Sequence, residues 1–145
     1  MDKVPEKTKI MKILSSLKKY LINNNIDGYI IPKNDEYFLE YSNPDRLKIV
    51  SKFSGSAGVG VVLRKKNYLF VDGRYILQAQ KEAGKYFDII ETSKTDIKNI
   101  LSKYKKNLKI GFDPKLFTNL SISKFYCNNI ILVPIDYNLV DYFSK

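Results

Sequence analysis

Between residues 86 and 135 the hydrophobic period switches repeatedly from that of a strand to that of a helix and back. "YFDIIE" reads as a strand, "KTDIKNILSKY" as a helix, "LKIGFD" as a strand, "TNLSISKFY" as a helix and "NIILVPI" as a strand. A helical stretch of about ten residues between two strands can bury its apolar stripe only by lying across a sheet face. The pattern therefore predicts an α/β sandwich with helices covering a largely parallel sheet. Ser93 and Asp96 form a capping-box pattern ahead of the first of these helices.

The N-terminal half supplies the remaining elements. Ile10, Ile13, Leu14, Leu17, Tyr20 and Leu21 recur at helical spacing while Lys9, Lys12, Lys18 and Lys19 fill the opposite face, which predicts an amphipathic helix over 8–23. "DGYIIP" reads as a short buried strand stopped by Pro32, and "NDEYFLEYSNPDR" as a turn-rich connection. Asp45 or Asn43 is placed to cap a short helix, "DRLKIVSKF". "VGVVL" and "YLFVD", joined by "RKKN", form a hairpin pattern with a four-residue loop, and this hairpin makes the sheet mixed. "GRYILQAQKEAG" then places Tyr75, Ile76, Ala79 and Ala83 on one helical face, with Gly84 as a stop. "NLVDYFSK" reads as the first turn of a further element capped by Asn138, with Asp141 three residues on.

At 145 residues one domain spanning 1–145 is expected, and the pattern contains no repeat or linker. With 44% hydrophobic and 28% charged residues the chain is neither disordered nor membranous, since its apolar runs fall far short of the ~20 residues that span a bilayer. The opening "MDKVPEKTK" has no apolar signal core, so a soluble cytoplasmic protein is expected. The lone Cys127 has no partner for an intrachain disulfide and reads as a small core side chain.

The formal charge of +10 raises the question of nucleic acid. Nearly all the basic residues are lysines, the arginines being Arg46, Arg64 and Arg74, and the lysines are spread along the chain with no basic block interleaved with exposed aromatics. Nucleic-acid binding is therefore not expected. The absence of histidine excludes more: no Ser-His-Asp or Cys-His device and no imidazole-based zinc site can be built from this chain.

The densest run of small residues is "FSGSAG" at 53–58. Gly55, Gly58 and Gly60 give G-x-x-G-x-G ahead of a strand, whereas the dinucleotide fingerprint G-x-G-x-x-G lies between a strand and a helix N-terminus. No Gly-Lys-Ser/Thr follows, and Ser54 and Ser56 lack a histidine base. What remains is a tight structural turn of Gly55, Ser56 and Gly58 leading into a strand, with the two glycines at positive φ and Ala57 allowing another layer to pack close. "VDGRY" is in the first instance a turn at a strand end, with Arg74 in a surface ion pair. Strand ends are also where open α/β sheets present functional groups, and an arginine beside an aspartate suits a carboxylate or carbonyl. Both readings stay open on residues alone.

Taken in order, "GYIIPKNDEYFLEY", "RLKIVSKFSGSAGVGVVL", "LFVDGRYILQAQKE", "IGFDP" and "LVPIDYNLVD" resemble the N-terminal domain of cytosolic aminopeptidase P, the Xaa-Pro aminopeptidase of the creatinase and prolidase group. The resemblance implies a six-stranded mixed sheet flanked by helices. It implies a second domain and a "pita-bread" catalytic domain beyond this one, the latter holding two divalent metal ions, commonly manganese, that activate water against an Xaa-Pro bond. None of those ligands can be placed in this chain, so no catalytic residue, metal ligand or cofactor is assigned to it and it is expected to be inactive alone. The resemblance further implies that the domain supports oligomerisation and lines the substrate cleft. Arg74 matches the arginine of the family's D-G-R-Y motif and is the residue expected to reach toward the active site, with Asp72 and Tyr75 orienting it. Tyr37 and Phe38 stand where the family often has histidine or phenylalanine followed by glutamine, a departure that weakens any polar substrate contact there. Expected partners are the second and catalytic domains, in the same chain or a separate one as in a truncated or split gene, and a second copy in a homodimer. The other reading is a stand-alone binding module of the same fold that offers its basic surface to an acidic partner.

Overall fold

The computed structural model describes residues 6–38 and 44–145. Residues 39–43, which include the end of "DEYFLEY" and the alternative cap Asn43, lie outside the described residues.

Six strands form one sheet: β1 (Gly28–Pro32), β2 (Val59–Leu63), β3 (Asn67–Val71), β4 (Asp88–Glu91), β5 (Leu108–Phe112) and β6 (Ile130–Pro134). Their spatial order is β4-β3-β2-β1-β5-β6. β2 is antiparallel to both of its neighbours, whereas β3 with β4, β1 with β5 and β5 with β6 are parallel. One reversed strand therefore makes an otherwise parallel sheet mixed, because the tight 63–67 connection can only fold the chain back on itself. That connection is shorter than the expected four-residue loop, since Asn67 already pairs with Val62.

Helices α1 (Glu6–Asn23), α2 (Arg46–Ser51), α3 (Ile76–Ala83) and α6 (Leu139–Phe143) cover one face, and α4 (Ile97–Leu101) and α5 (Asn119–Ser123) cover the other. The two-residue period of the strands divides the core between these layers. Tyr29, Ile31, Leu69 and Val71 join Leu14, Leu17, Leu47 and Ala79 on the first face, while Ile30, Tyr68 and Phe70 join Leu101, Ile110 and Phe125 on the second. Each large aliphatic or aromatic side chain so buried contributes about 1.5–3 kcal/mol.

Several local expectations are corrected. The Ser93–Asp96 capping box does not form: Lys94 and Thr95 both donate their amides to the Glu91 carbonyl at 3.0 Å, which makes 91–95 a turn. Asp96 itself becomes the cap residue of the shorter α4, without a side-chain bond. Asp45 does cap α2, and the Asn138 side chain accepts from the amides of Val140 and Asp141 to start α6. Gly84 ends α3 in a right-handed conformation. Cys127 is half-buried in the connection before β6 and does not belong to the core.

Candidate functional site

The 53–58 segment and the end of β3 form one corner. Asp72 follows β3 directly, and its Oδ1 accepts the amide of Arg74 at 2.9 Å, opening a 3₁₀ turn over Gly73–Tyr75. The same carboxylate takes the Arg74 side chain on both oxygens, from Nε at 3.2 Å and from an η nitrogen at 2.9 Å. The guanidinium carbon lies 5.3 Å from the centroid of the Tyr75 ring. Tyr75 is fixed in turn, edge-on to Phe53 with centroids 6.0 Å apart, and its hydroxyl hydrogen-bonds Ser56 Oγ.

The hydrogen bond from Arg74 is the main reason that the Asp72 carboxyl is held below its usual range, and Asp72 in turn raises Arg74. Arg74 is nonetheless 76% exposed. An exposed pair two residues apart contributes little to stability; its effect is to aim a cation along one direction.

Of the two glycines expected at positive φ, one has it and the other is required for a different reason. Gly55 has no positive φ; it is required because a Cβ there would lie 2.3 Å from Phe53 Cζ and 2.9 Å from Tyr75 Cδ1. Gly58 has the expected positive φ, +159°, and a Cβ on it would meet Phe53 Cε2 at 3.1 Å and Val71 Cγ1 at 3.2 Å. Ala57 is exposed and holds no layer against another.

Beside this corner a groove of about 690 Å³ opens at the carboxyl ends of β1 and β3. Ser56, Ala57, Gly58 and Asp72 line it, together with the aromatic side chains of Phe38, Phe117 and Phe125. Of the residues singled out by sequence, the groove gathers Ser56, Gly58 and Asp72; Gly55, Arg74 and Tyr75 lie on the corner outside it. Sequence reading missed Asp96, Phe117, Lys124 and Phe125, which also line it. They follow the carboxyl ends of β4 and β5, the positions at which an open α/β sheet presents its functional side chains. Among the described residues no three histidine, cysteine, aspartate or glutamate side chains come together as a metal-binding group.

The sequence profile of the Creatinase/Prolidase N-terminal domain matches residues 14–137. Xaa-Pro aminopeptidase 1 of Dictyostelium discoideum is 33% identical over 133 residues, covering 88% of this chain and 20% of its own length. Xaa-Pro aminopeptidase 2 of Rattus norvegicus is 33% identical over 136 residues, again 88% of this chain and 20% of its own length. The chain thus spans about a fifth of the length of these curated relatives. Among solved structures, X-prolyl aminopeptidase from Caenorhabditis elegans, described as a cytosolic enzyme with a di-nuclear active site, superposes with a TM-score of 0.77 at 26% identity over 97% of this chain and 26% of that one. The N-terminal domain of the cytoplasmic peptidase PepQ from Mycobacterium tuberculosis has a TM-score of 0.64 at 21% identity, over 90% of this chain and 97% of that one, a likeness of fold.

Proposed function

Because the chain belongs to the Creatinase/Prolidase N-terminal domain family, the N-terminal domain of Xaa-Pro aminopeptidase-like proteins, we propose that it is the non-catalytic domain of such an enzyme, lining the substrate cleft and supporting oligomerisation. The reading rests chiefly on one observation: a guanidinium held on both carboxylate oxygens of Asp72, lying against Tyr75, and directed into solvent at a strand end. Such a group is oriented before it meets a ligand, and an arginine fork matches a carboxylate or a backbone carbonyl. In this reading Arg74 faces the cleft, and Asp72 and Tyr75 fix its direction.

The chemistry belongs to a separate catalytic domain, in the same chain or another, where two divalent metal ions, manganese by family resemblance, activate water. No residue of this chain is assigned to them. Residues 1–145 act as one domain, and the protein works in the cytoplasm, as does the C. elegans enzyme by its description. No described helix is long and apolar enough to cross a membrane.

The test is made in a full-length Xaa-Pro aminopeptidase that carries the D-G-R-Y motif, by replacing its arginine by alanine and its aspartate by asparagine. Loss of the arginine is expected to lower kcat/KM on Xaa-Pro peptides by about 10–100-fold, with a smaller loss for the aspartate, while metal content and melting temperature hold. Unchanged kinetics in the arginine variant would remove Arg74 from the cleft.

A further inference from the structure

We propose that the groove at the carboxyl edge of the sheet binds a small zwitterion, an amino acid or dipeptide with an aromatic or large apolar side chain, at a site distinct from Arg74. Three observations lead there independently of the role proposed for that arginine.

The first is topological. The chain leaving β1 runs to α2 on one face of the sheet, whereas the chain leaving β5 runs to α5 on the other. β1 and β5 pair at Gly28↔Ile110 and Tyr29↔Gly111, and β5 ends at Phe112 while β1 continues to Pro32, so the end of β1 has no β5 partner beside it. Adjacent parallel strands whose following connections diverge leave a crevice in an open α/β sheet, and ligands bind there. The groove is lined from both departing segments, by Pro32, Asn34 and Phe38 after β1 and by Phe117, Ser121 and Lys124 after β5. Its volume of about 690 Å³ lies within the range of small-molecule sites.

The second is the character of the walls. Phe38, Phe70, Phe117 and Phe125 present aromatic surface. Ser56, Ala57 and Gly58 line the groove with no large side chain, which leaves room for a ring and brings backbone within reach. Edge-to-face contacts of Phe117 with Phe125, at 6.4 Å between centroids, and with Phe112, at 5.7 Å, hold that side rigid.

The third is charge. Two opposite charges line the groove, the Asp96 carboxylate at the start of α4 and the Lys124 ammonium at the end of α5. Neither makes an ion pair with a described residue, and although the Asp96 carbonyl accepts from the amides of Asn99 and Ile100, its carboxylate makes no bond to the helix that it precedes. The other charges on the groove are already engaged: Lys33 pairs with Asp45, and Asp72 with Arg74. One free cation and one free anion around an aromatic floor complement a ligand carrying both an ammonium and a carboxylate; an anionic ligand alone would meet the Asp96 carboxylate, and a cationic one the Lys124 ammonium.

The experiment is a titration of the isotope-labelled 145-residue chain with L-phenylalanine and with the dipeptide Ala-Phe, followed by amide NMR shifts. The control ligand is Ala-Phe acetylated at one end and amidated at the other. Saturable shifts are expected at the amides of Gly58, Asp96, Ser121 and Lys124, with about tenfold weaker binding of the capped peptide. Lys124→Gln and Asp96→Asn should each weaken the free ligands by several-fold and leave the capped one unaffected, and their dispersed spectra report that they are folded. Which free ligand binds more tightly distinguishes an amino-acid site from a peptide site. Absence of saturation into the millimolar range, equal binding of capped and free peptide, or shifts confined to the Arg74 corner would each overturn the proposal.

Discussion

Arg46 and Asp141 stand 95 residues apart and meet in a two-pronged ion pair, Nε to Oδ1 and an η nitrogen to Oδ2, both at 2.8 Å. The Arg46 side chain is 4% exposed and that of Asp141 42%. The pair ties α6 to α2, and the hydrogen bond that Arg46 donates to Asp141 is the main reason that the guanidinium is pushed further toward its charged form. Removing the carboxylate leaves a buried cation with Glu36, at 3.8 Å, as its remaining ion-pair partner. Asp141→Ala should therefore cost roughly 1.5–3 kcal/mol, read as a lower urea midpoint at unchanged slope, while Arg46→Met, which removes the charge and keeps apolar volume, should cost less. The reverse order would show that the pair is not the fastening for α6.

Gly55→Ala is expected to destabilise by about 1–3 kcal/mol, because its methyl group would overlap the rings of Phe53 and Tyr75. Ala57→Ser, two residues on and exposed, should stay within about 0.5 kcal/mol. Thermal melts of the two variants decide it, and equal stabilities would mean that the corner is loosely packed.

Asp72 should titrate below its ordinary value of 3.8, because Arg74 donates hydrogen bonds to its charged form. A carboxyl depressed in the folded state adds stability at pH values above 3.8, which is lost as pH falls through the lower folded value. Carboxyl NMR should place the midpoint low in the parent chain and return it toward 3.8 in Arg74→Ala. An identical midpoint in both would show that the fork is not formed in solution.

Alkaline pH acts in the opposite sense. Burial, then the hydrogen bond with Tyr137, raises Tyr20 from 10.0 to about 12, and burial likewise raises Tyr29 and Tyr104 above the ordinary tyrosine value. Stability from these groups is complete below pH 10.0 and should decline as the pH rises toward about 12, since the unfolded chain ionises first. Phenolate absorbance should show a late-titrating class of tyrosines that coincides with unfolding, and Tyr20→Phe should shrink it.

The 145-residue chain with added manganese should release no N-terminal residue from an Xaa-Pro peptide, and a chelator should leave its melting temperature unchanged. Cleavage that survives repurification would contradict the assignment of chemistry to a separate domain.

Periodicity in the sequence determined the elements. Strands read at "GYIIP", "VGVVL" and "LKIGF" and the helical face of Ile10, Leu14, Leu17 and Leu21 are all in place, because hydrophobic spacing and burial are two expressions of one local pattern. The Asp72–Arg74 pair closes within three residues, but on residues alone its reading stays open between a surface ion pair and a functional group, and the orienting of Arg74 by Asp72 comes from the family resemblance. Ser93 was misread because a turn after β4 competed with a helix cap for the same amides, and the Glu91 carbonyl won. Gly55 was correctly marked as special, although the cause is the distance to two aromatic rings and not its dihedral angle. Only the tertiary structure decided the rest. The Arg46–Asp141 pair and the groove lined by Phe38, Asp96 and Lys124 join residues far apart in sequence, and depend on the order of the strands and on which face each following helix takes. Local spacing carries no record of that choice, because sheet order is set by how whole helices and strands bury their faces together.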